Sequence, residues 1–274
     1  MRLYFAAGEV EKLVKICLAA GGKNMLGSFP KIVGRANYLS KAPISGCNSF
    51  FLDSGAFSAF TLGTPIDVQQ YGAYLVQNKR WLGIYANLDV IGDWRATHKN
   101  QLYLEQLGLT PLPVFHLASP AEPWEHLKDL VQRYDYLAIG GVATTQFTVK
   151  EKAAFLDKCW SIVGAEWKRG RQVKIHGFGV TSNWAVKNYP WFSVDSAAWS
   201  IAGGCGVMYK FTGTGLVSCH YTDTDAADFK RRNALAGSGT TRYIIRSQIN
   251  VVEMLKFADF VTTVWKHRGV TWDA

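Results

Sequence analysis

The chain is poor in cysteine, and the few it has form no pattern. There are five in 274 residues, at positions 17, 47, 159, 205 and 219, an odd number without a CxxC pair. A disulfide framework is not expected on that count, and Cys17 and Cys159, set among apolar helix positions, are expected in the core. Long apolar runs are missing as well: none approaches the roughly 18 residues of a membrane span. The opening MRLYFAAGEVEK lacks the layout of a signal peptide, so a cytoplasmic location is expected. No HxH or HExxH spacing announces a metal, and no GxGxxG or GxxxxGK announces a phosphate loop. Internal repeats, low-complexity tracts and linkers are absent, which leaves one domain over residues 1–274. Acidic residues are outnumbered, 21 against 30 basic, for a net charge of +9. That balance favours a polyanionic partner, the alternative being a lysine-rich solvated surface. Aromatics are plentiful, with 10 Trp, 12 Tyr and 15 Phe, available for packing or for base stacking.

Short apolar segments that do not alternate recur along the chain, each followed by a helical pattern. Arg2 to Ala7 is a strand, and Val10 to Leu18 a helix ended by Gly21-Gly22. A polar stretch leads to a strand ending on Asp53, and Asp67 to Asn78 is helical. Trp81 to Gly92 carries a strand closing on Asp89, followed by the helix Trp94 to Leu107. Leu112 to Leu117 holds His116, Pro123 to Arg133 is a helix, and Tyr136 to Val142 ends in Gly140-Gly141. Thr148 and Glu151 form a capping box ahead of the next helix. Val173 to Val180 breaks at His176-Gly177, Trp191 to Asp195 ends on a carboxylate, and Gly206 to Phe211 is the last expected barrel strand. The closing helix runs from about Tyr243 to His267, with Val251, Leu255, Ala258, Val261 and Trp265 inward. Eight such units predict an α/β eightfold βα (TIM) barrel, with residues 213–241 as a loop inserted before the last helix.

In a barrel, the C-terminal ends of the strands share one face. That rule gathers Asp53, Asp89, His116, Gly140, Gly141, His176, Gly177 and Asp195. Three carboxylates in one pocket are costly without a purpose, although each alone is also a helix cap or a turn residue. His116 and His176 with two carboxylates are a candidate divalent-metal site; hydrogen-bonded pocket histidines are the plainer reading. Cys205, Cys219 and His220 match no usual zinc spacing. Tyr85, Phe115, Phe57 and Phe178 either sandwich a planar ring or pack as ordinary barrel aromatics.

In these residues the chain resembles the tRNA-guanine transglycosylase superfamily. LDSGAFS (Leu52 to Ser58) is similar to the family's DSGGFQ motif, LDVIGD (Leu88 to Asp93) to its base-recognising segment, and AIGGVA (Ala138 to Ala143) to its glycine-glycine loop. HGFGVTS (His176 to Ser182) resembles the segment before the nucleophile strand, and VDSAAW (Val194 to Trp199) the nucleophile segment. The resemblance implies a glycosyltransferase that exchanges a base through a covalent intermediate. Asp195 would be the nucleophile on C1′ of a guanosine nucleotide, and Asp53 the general base for the incoming 7-deazaguanine. Asp89 would accept from the purine NH groups, while Gly140 and Gly141 contact its carbonyl. His116 stands where the family has a glutamine, and His176 and Gly177 complete the expected base-binding set.

Departures from the family bear on the substrate. Ser196 to Gly206 has no arginine, unlike the anticodon-reading segment of the bacterial tRNA enzymes. The family's CxCxxC-and-His zinc pattern is not found, so no cofactor is expected, with a zinc ion as the alternative. The RNA-binding appendage of the archaeal type is missing. In these respects the chain resembles the phage-type DNA-guanine transglycosylases, and would act in the host cytoplasm if phage-encoded. The expected partners are DNA, with tRNA as the alternative polymer, and a 7-deazaguanine such as 7-cyano-7-deazaguanine. Accessory proteins that open the duplex are further candidates, and a membrane is not expected. Lys210, Lys230, Arg231, Arg232, Arg242 and Arg246 are candidates for holding phosphates, whereas Arg169 and Arg171 should lie on the opposite face. A non-catalytic nucleic-acid-binding barrel and an unrelated carboxylate glycosidase are the competing functions.

Overall fold

A computed structural model describes residues 1–118, 121–220, 222–223 and 239–272. Eight parallel strands curl through 255° with helices between them, an α/β barrel of the TIM type whose ladder is not closed. The strands are β1 (Arg2–Ala6), β2 (Asn24–Ser28), β3 (Ser49–Asp53), β4 (Ile84–Tyr85), β5 (Val114–His116), β6 (Tyr136–Gly140), β7 (Lys174–Gly177) and β8 (Ser193–Ser196). Their order around the wall is β4-β3-β2-β1-β8-β7-β6-β5, so β4 and β5 are its two edges. One parallel bridge, Ala86 with Leu112, crosses this seam. The Asn87 amide donates to the Leu112 carbonyl at 2.9 Å, and the Leu112 amide to the Tyr85 carbonyl at 2.8 Å.

The outer layer comprises α1 (Glu11–Ala19), α2 (Phe29–Ile32), α3 (Ala56–Leu62), α4 (Val68–Asn78), α5 (Trp94–Gln106), α6 (Trp124–Arg133), α7 (Val149–Lys168), α8 (Asn183–Asn188), α9 (Ala198–Gly204) and α10 (Thr240–His267). The period-two geometry of a strand sends alternate side chains to two cores. Leu3, Phe5, Phe50, Leu52, Phe115, Leu137, Ile139, Ile175 and Val194 pack outward under the helices. Tyr4, Leu26, Phe51, Val114 and Ala138 fill the barrel itself. Inside it, Tyr4 and Phe51 meet edge to face at 5.5 Å, and Phe51 meets His176 at 4.8 Å. Strands covered on both faces need no polar alternation, which explains their near-continuous apolar runs. Cys17 and Cys159 are fully buried in the outer core. The Thr148–Glu151 capping box is present: the Glu151 amide donates to Thr148 Oγ1 at 3.2 Å, and the Thr148 amide to Glu151 Oε2 at 2.7 Å.

Two expectations about the strands are corrected. The sequence NMLGS (Asn24–Ser28), expected to be connecting chain, is β2 and lies between β1 and β3 in the wall. Conversely, β9 (Val207–Phe211) is outside the barrel and pairs antiparallel with β10 (Leu216–His220). The expected insertion therefore contains a strand, and the last helix starts three residues earlier than Tyr243. The hairpin is bound to α10: Asn250 Oδ1 accepts from the Tyr209 amide at 2.7 Å, and Glu253 Oε2 from the Phe211 amide at 2.7 Å. Val251, Ala258 and Val261 are buried as expected, and Leu255 and Trp265 pack half-buried on the same core.

Candidate active site

Alternation along the strands decides which side chains reach the barrel mouth. One position above each barrel-filling residue is outward, and two above is inward again. On β3 the inward pair is Phe51 then Asp53; on β5, Val114 then His116; on β6, Ala138 then Gly140; on β8, Ser193 then Asp195. Asp89 follows β4 by four residues. Asp53, His116 and Asp195 are thus the last inward side chains of their strands, whereas Asp89, expected to close a strand, sits in the connection after the two-residue β4.

Asp195 is 8% exposed, and its Oδ1 accepts from the Gly179 amide at 2.8 Å. His176 Nε2 lies 3.3 Å from the same oxygen but off the line of a hydrogen bond, so that nitrogen has no hydrogen-bonding partner among the described residues. The other ring nitrogen is 2.7 Å from Ser193 Oγ, which is 2.6 Å from the Tyr136 hydroxyl. Asp53 Oδ2 accepts from the Gly55 amide at 3.1 Å. The Asp53 residue keeps some exposure, but its carboxyl is desolvated. That burial, with the charges of Asp89 and Asp195, pushes its pKa up to about 7, against the smaller opposing pull of the Gly55 amide. The mutual influence is the clearest sign that the three carboxylates share one space.

Asp89 is held at both oxygens. Ser54 Oγ donates to Oδ1 at 3.0 Å, and His116 Nε2 lies 2.8 Å from Oδ2. The second ring nitrogen of His116 faces Glu122 Oε1 at 3.3 Å. Burial opposes charge on this ring, but the hydrogen bonds and charges of the two carboxylates outweigh it and raise its pKa to about 9. Glu122 escaped the sequence reading; it sits in the connection before α6 and resembles an ordinary acid at a helix start. Its one sequence signal is an acidic residue six positions beyond a strand-end histidine.

The glycines act differently from one another. A Cβ on Gly140 would lie 2.6 Å from the His116 ring, so its absence makes room for that imidazole. Gly141 has φ +81°, and a Cβ there would strike the Leu117 carbonyl. Gly177 faces outward against Trp191, so it supports the wall and does not line the pocket. His176 is wholly buried one layer below Asp195, which suits it to supporting that carboxylate and not to touching a base. Phe178, half-buried, covers His176 at 4.7 Å and forms the floor with Phe51. Of the remaining aromatics, Phe115 stacks on Phe155 in the outer layer and Tyr85 bonds Thr110, so neither faces a ligand. Phe57 and Phe60 are about two-thirds exposed on α3. Beside Asp89, a cleft of about 320 Å³ is lined by Phe60, Pro65, Ile66, Val90, Ile91 and Asn100. Two larger cavities, each about 430 Å³, lie away from these carboxylates, among Met1, Phe192, Trp265 and Trp272 and among Gly83, Thr110, Tyr134 and Tyr136.

Among the basic candidates, Lys210 is exposed on β9 and Arg242 half-buried near the start of α10. Arg246 is buried, its Nε donating to the Gly203 carbonyl at 2.8 Å, so it is committed to joining α10 to α9. Lys230, Arg231 and Arg232 lie outside the described residues. Arg171 pairs with Asp135 ahead of β7, on the face opposite the carboxylates. No group of three or more His, Cys, Asp or Glu among the described residues is arranged to hold a metal ion, and no described helix is long and apolar enough to cross a membrane.

Fold and site together define an open α/β barrel with a three-carboxylate, one-histidine mouth. No protein-family model matches the chain, and no curated protein matches it.

Proposed function

We propose that the chain is a base-exchange transglycosylase acting on guanine in DNA. Asp195 attacks C1′ of the target nucleotide; the C1′–N9 bond breaks, its electron pair stays on N9, and guanine leaves with the proton that the Asp53 carboxyl gives to that nitrogen. A 7-deazaguanine then enters, Asp53 takes its N9 proton, and the freed nitrogen attacks C1′ and releases the Asp195 carboxylate. The carboxylates work as in a retaining glycosidase. The observation that carries this reading is Asp53, whose pKa of about 7 suits a group that must give and take a proton near neutrality. Asp89, fixed at both oxygens, keeps a lone pair on each for the ring NH and amino group of the purine. Gly141 brings backbone close to the base carbonyl. The target nucleotide must leave its stack to reach the barrel mouth. DNA is favoured over tRNA by the arginine-free Ser196 to Gly206 segment, which contains α9.

Purified protein should transfer radiolabelled 7-cyano-7-deazaguanine into DNA and leave tRNA unlabelled. Label in tRNA alone would keep the chemistry and overturn the choice of polymer. Label in neither, with or without a cell extract to supply accessory proteins, would overturn the reading.

A further inference from the structure

We infer that Glu122 is a positioning residue for base recognition, acting through His116 on Asp89. The inference rests on the role of Asp89 in the reading above. A His116 ring with either nitrogen to spare would be able to turn and donate to a base carbonyl. Here both nitrogens are committed, Nε2 to Asp89 Oδ2 at 2.8 Å and Nδ1 to Glu122 Oε1 at 3.3 Å. His116 is therefore a strut between two carboxylates and not a reader of the base.

Glu122 is an expensive residue to keep. It is 5% exposed, and its Oε2 is buried without a hydrogen-bonding partner among the described residues. A buried carboxylate with an idle oxygen costs free energy that packing would not tolerate without a return from the other oxygen. The groups facing it are His116 from β5, His126 from α6 and Cys159 from α7, with the His98 ring of α5 beyond His126 at 5.6 Å. Burial lowers the pKa of His126 and raises that of Cys159, so neither offers Glu122 a compensating charge near neutrality. His116 is the ring that both carboxylates share, Asp89 at Nε2 and Glu122 at Nδ1. Remove Glu122, and the ring loses its orientation and part of its hold on the second proton. Asp89 Oδ2 is then free to rotate away from the plane in which two parallel NH donors approach.

The test uses the full chain, as wild type and as Glu122→Gln, His116→Gln and the double variant. Nitrogen-15 histidine NMR of the wild type should show His116 doubly protonated through pH 8. In Glu122→Gln its midpoint should fall toward the ordinary histidine range. Calorimetric titration with 7-cyano-7-deazaguanine should show Kd about tenfold weaker for Glu122→Gln, the size expected for losing one charged hydrogen-bonding partner. In the exchange assay the loss should fall on KM for the base, with kcat changed less. Glu122→Gln should add nothing in the His116→Gln background. An unchanged His116 midpoint, or equal losses in both backgrounds, would overturn the inference. If Glu122→Gln does not fold, the wild-type titration decides alone: a midpoint below 7 rejects it. If wild type binds no base while His116 titrates as expected, the base-exchange reading falls and the Glu122–His116 coupling stands.

Discussion

Asp195→Asn is expected to lose at least about a thousandfold in exchange rate while folding as the parent does. The amide has the shape of the carboxylate, and its oxygen can keep the Gly179 amide bond that anchors Oδ1 at 2.8 Å. The environment below, His176 on Ser193 and Ser193 on Tyr136, is untouched. Only the nucleophilic electron pair is withdrawn. Asp195→Ala should be equally inactive, which would separate loss of the nucleophile from loss of shape. A second readout is direct: wild type mixed with target DNA and no incoming base should form an adduct stable to denaturing electrophoresis, and Asp195→Asn should not. Normal turnover by either variant would remove Asp195 from the mechanism.

Asp53→Asn is expected to slow exchange by about 10² to 10⁴, the usual contribution of a positioned general base, and to make the protein more stable in alkaline solution. The sign follows from proton linkage. In the unfolded chain an aspartate loses its proton near 3.8, whereas in the folded protein Asp53 holds it to about 7. Over that window the native state binds the extra proton, so wild-type stability declines as pH rises and the full cost is present above 7. Asparagine carries no charge at any pH. The Tm values of parent and variant should therefore nearly coincide around pH 4 and part by several degrees at pH 8. A gap that is constant with pH would mean that neither burial nor the neighbouring carboxylates raise the Asp53 pKa in the folded protein.

Much of this site is written in strand-end positions. Asp53, Asp89, His116 and Asp195 each close an apolar run, and a barrel turns that one-dimensional feature into a shared mouth. What the runs do not disclose is direction. Gly177 follows His176 in sequence, yet strand alternation turns it outward onto Trp191, a consequence of register that no motif carries. The β2 strand was hidden because NMLGS is short, holds a glycine and has no β-branched residue. The error at β9 was readable in principle. VMYKF carries an exposed lysine, Lys210, where a barrel strand covered on both faces would stay apolar, and the Thr-Gly-Thr-Gly that follows is turn chemistry. Glu122 was illegible for a different reason: its importance comes from a contact with His116 across a loop, and loop geometry leaves no periodic trace.

The seam between β4 and β5 would tie the proposed recognition of a base to the mechanical integrity of the wall. Asp89 follows one edge strand and His116 belongs to the other, so their 2.8 Å contact spans the gap that the ladder leaves to a single bridge. Asp89, proposed to hold the base, and the His116 strut behind it are also a clasp on the barrel's weakest join. A base seated on Asp89 and the glycines of β6 would load both sides of that clasp at once. Protection of the Asn87 and Leu112 amides against deuterium exchange should then rise on base binding, while the amides joining β1 to β8 keep their rates. In this barrel, occupancy of the pocket would be felt as tension across the seam.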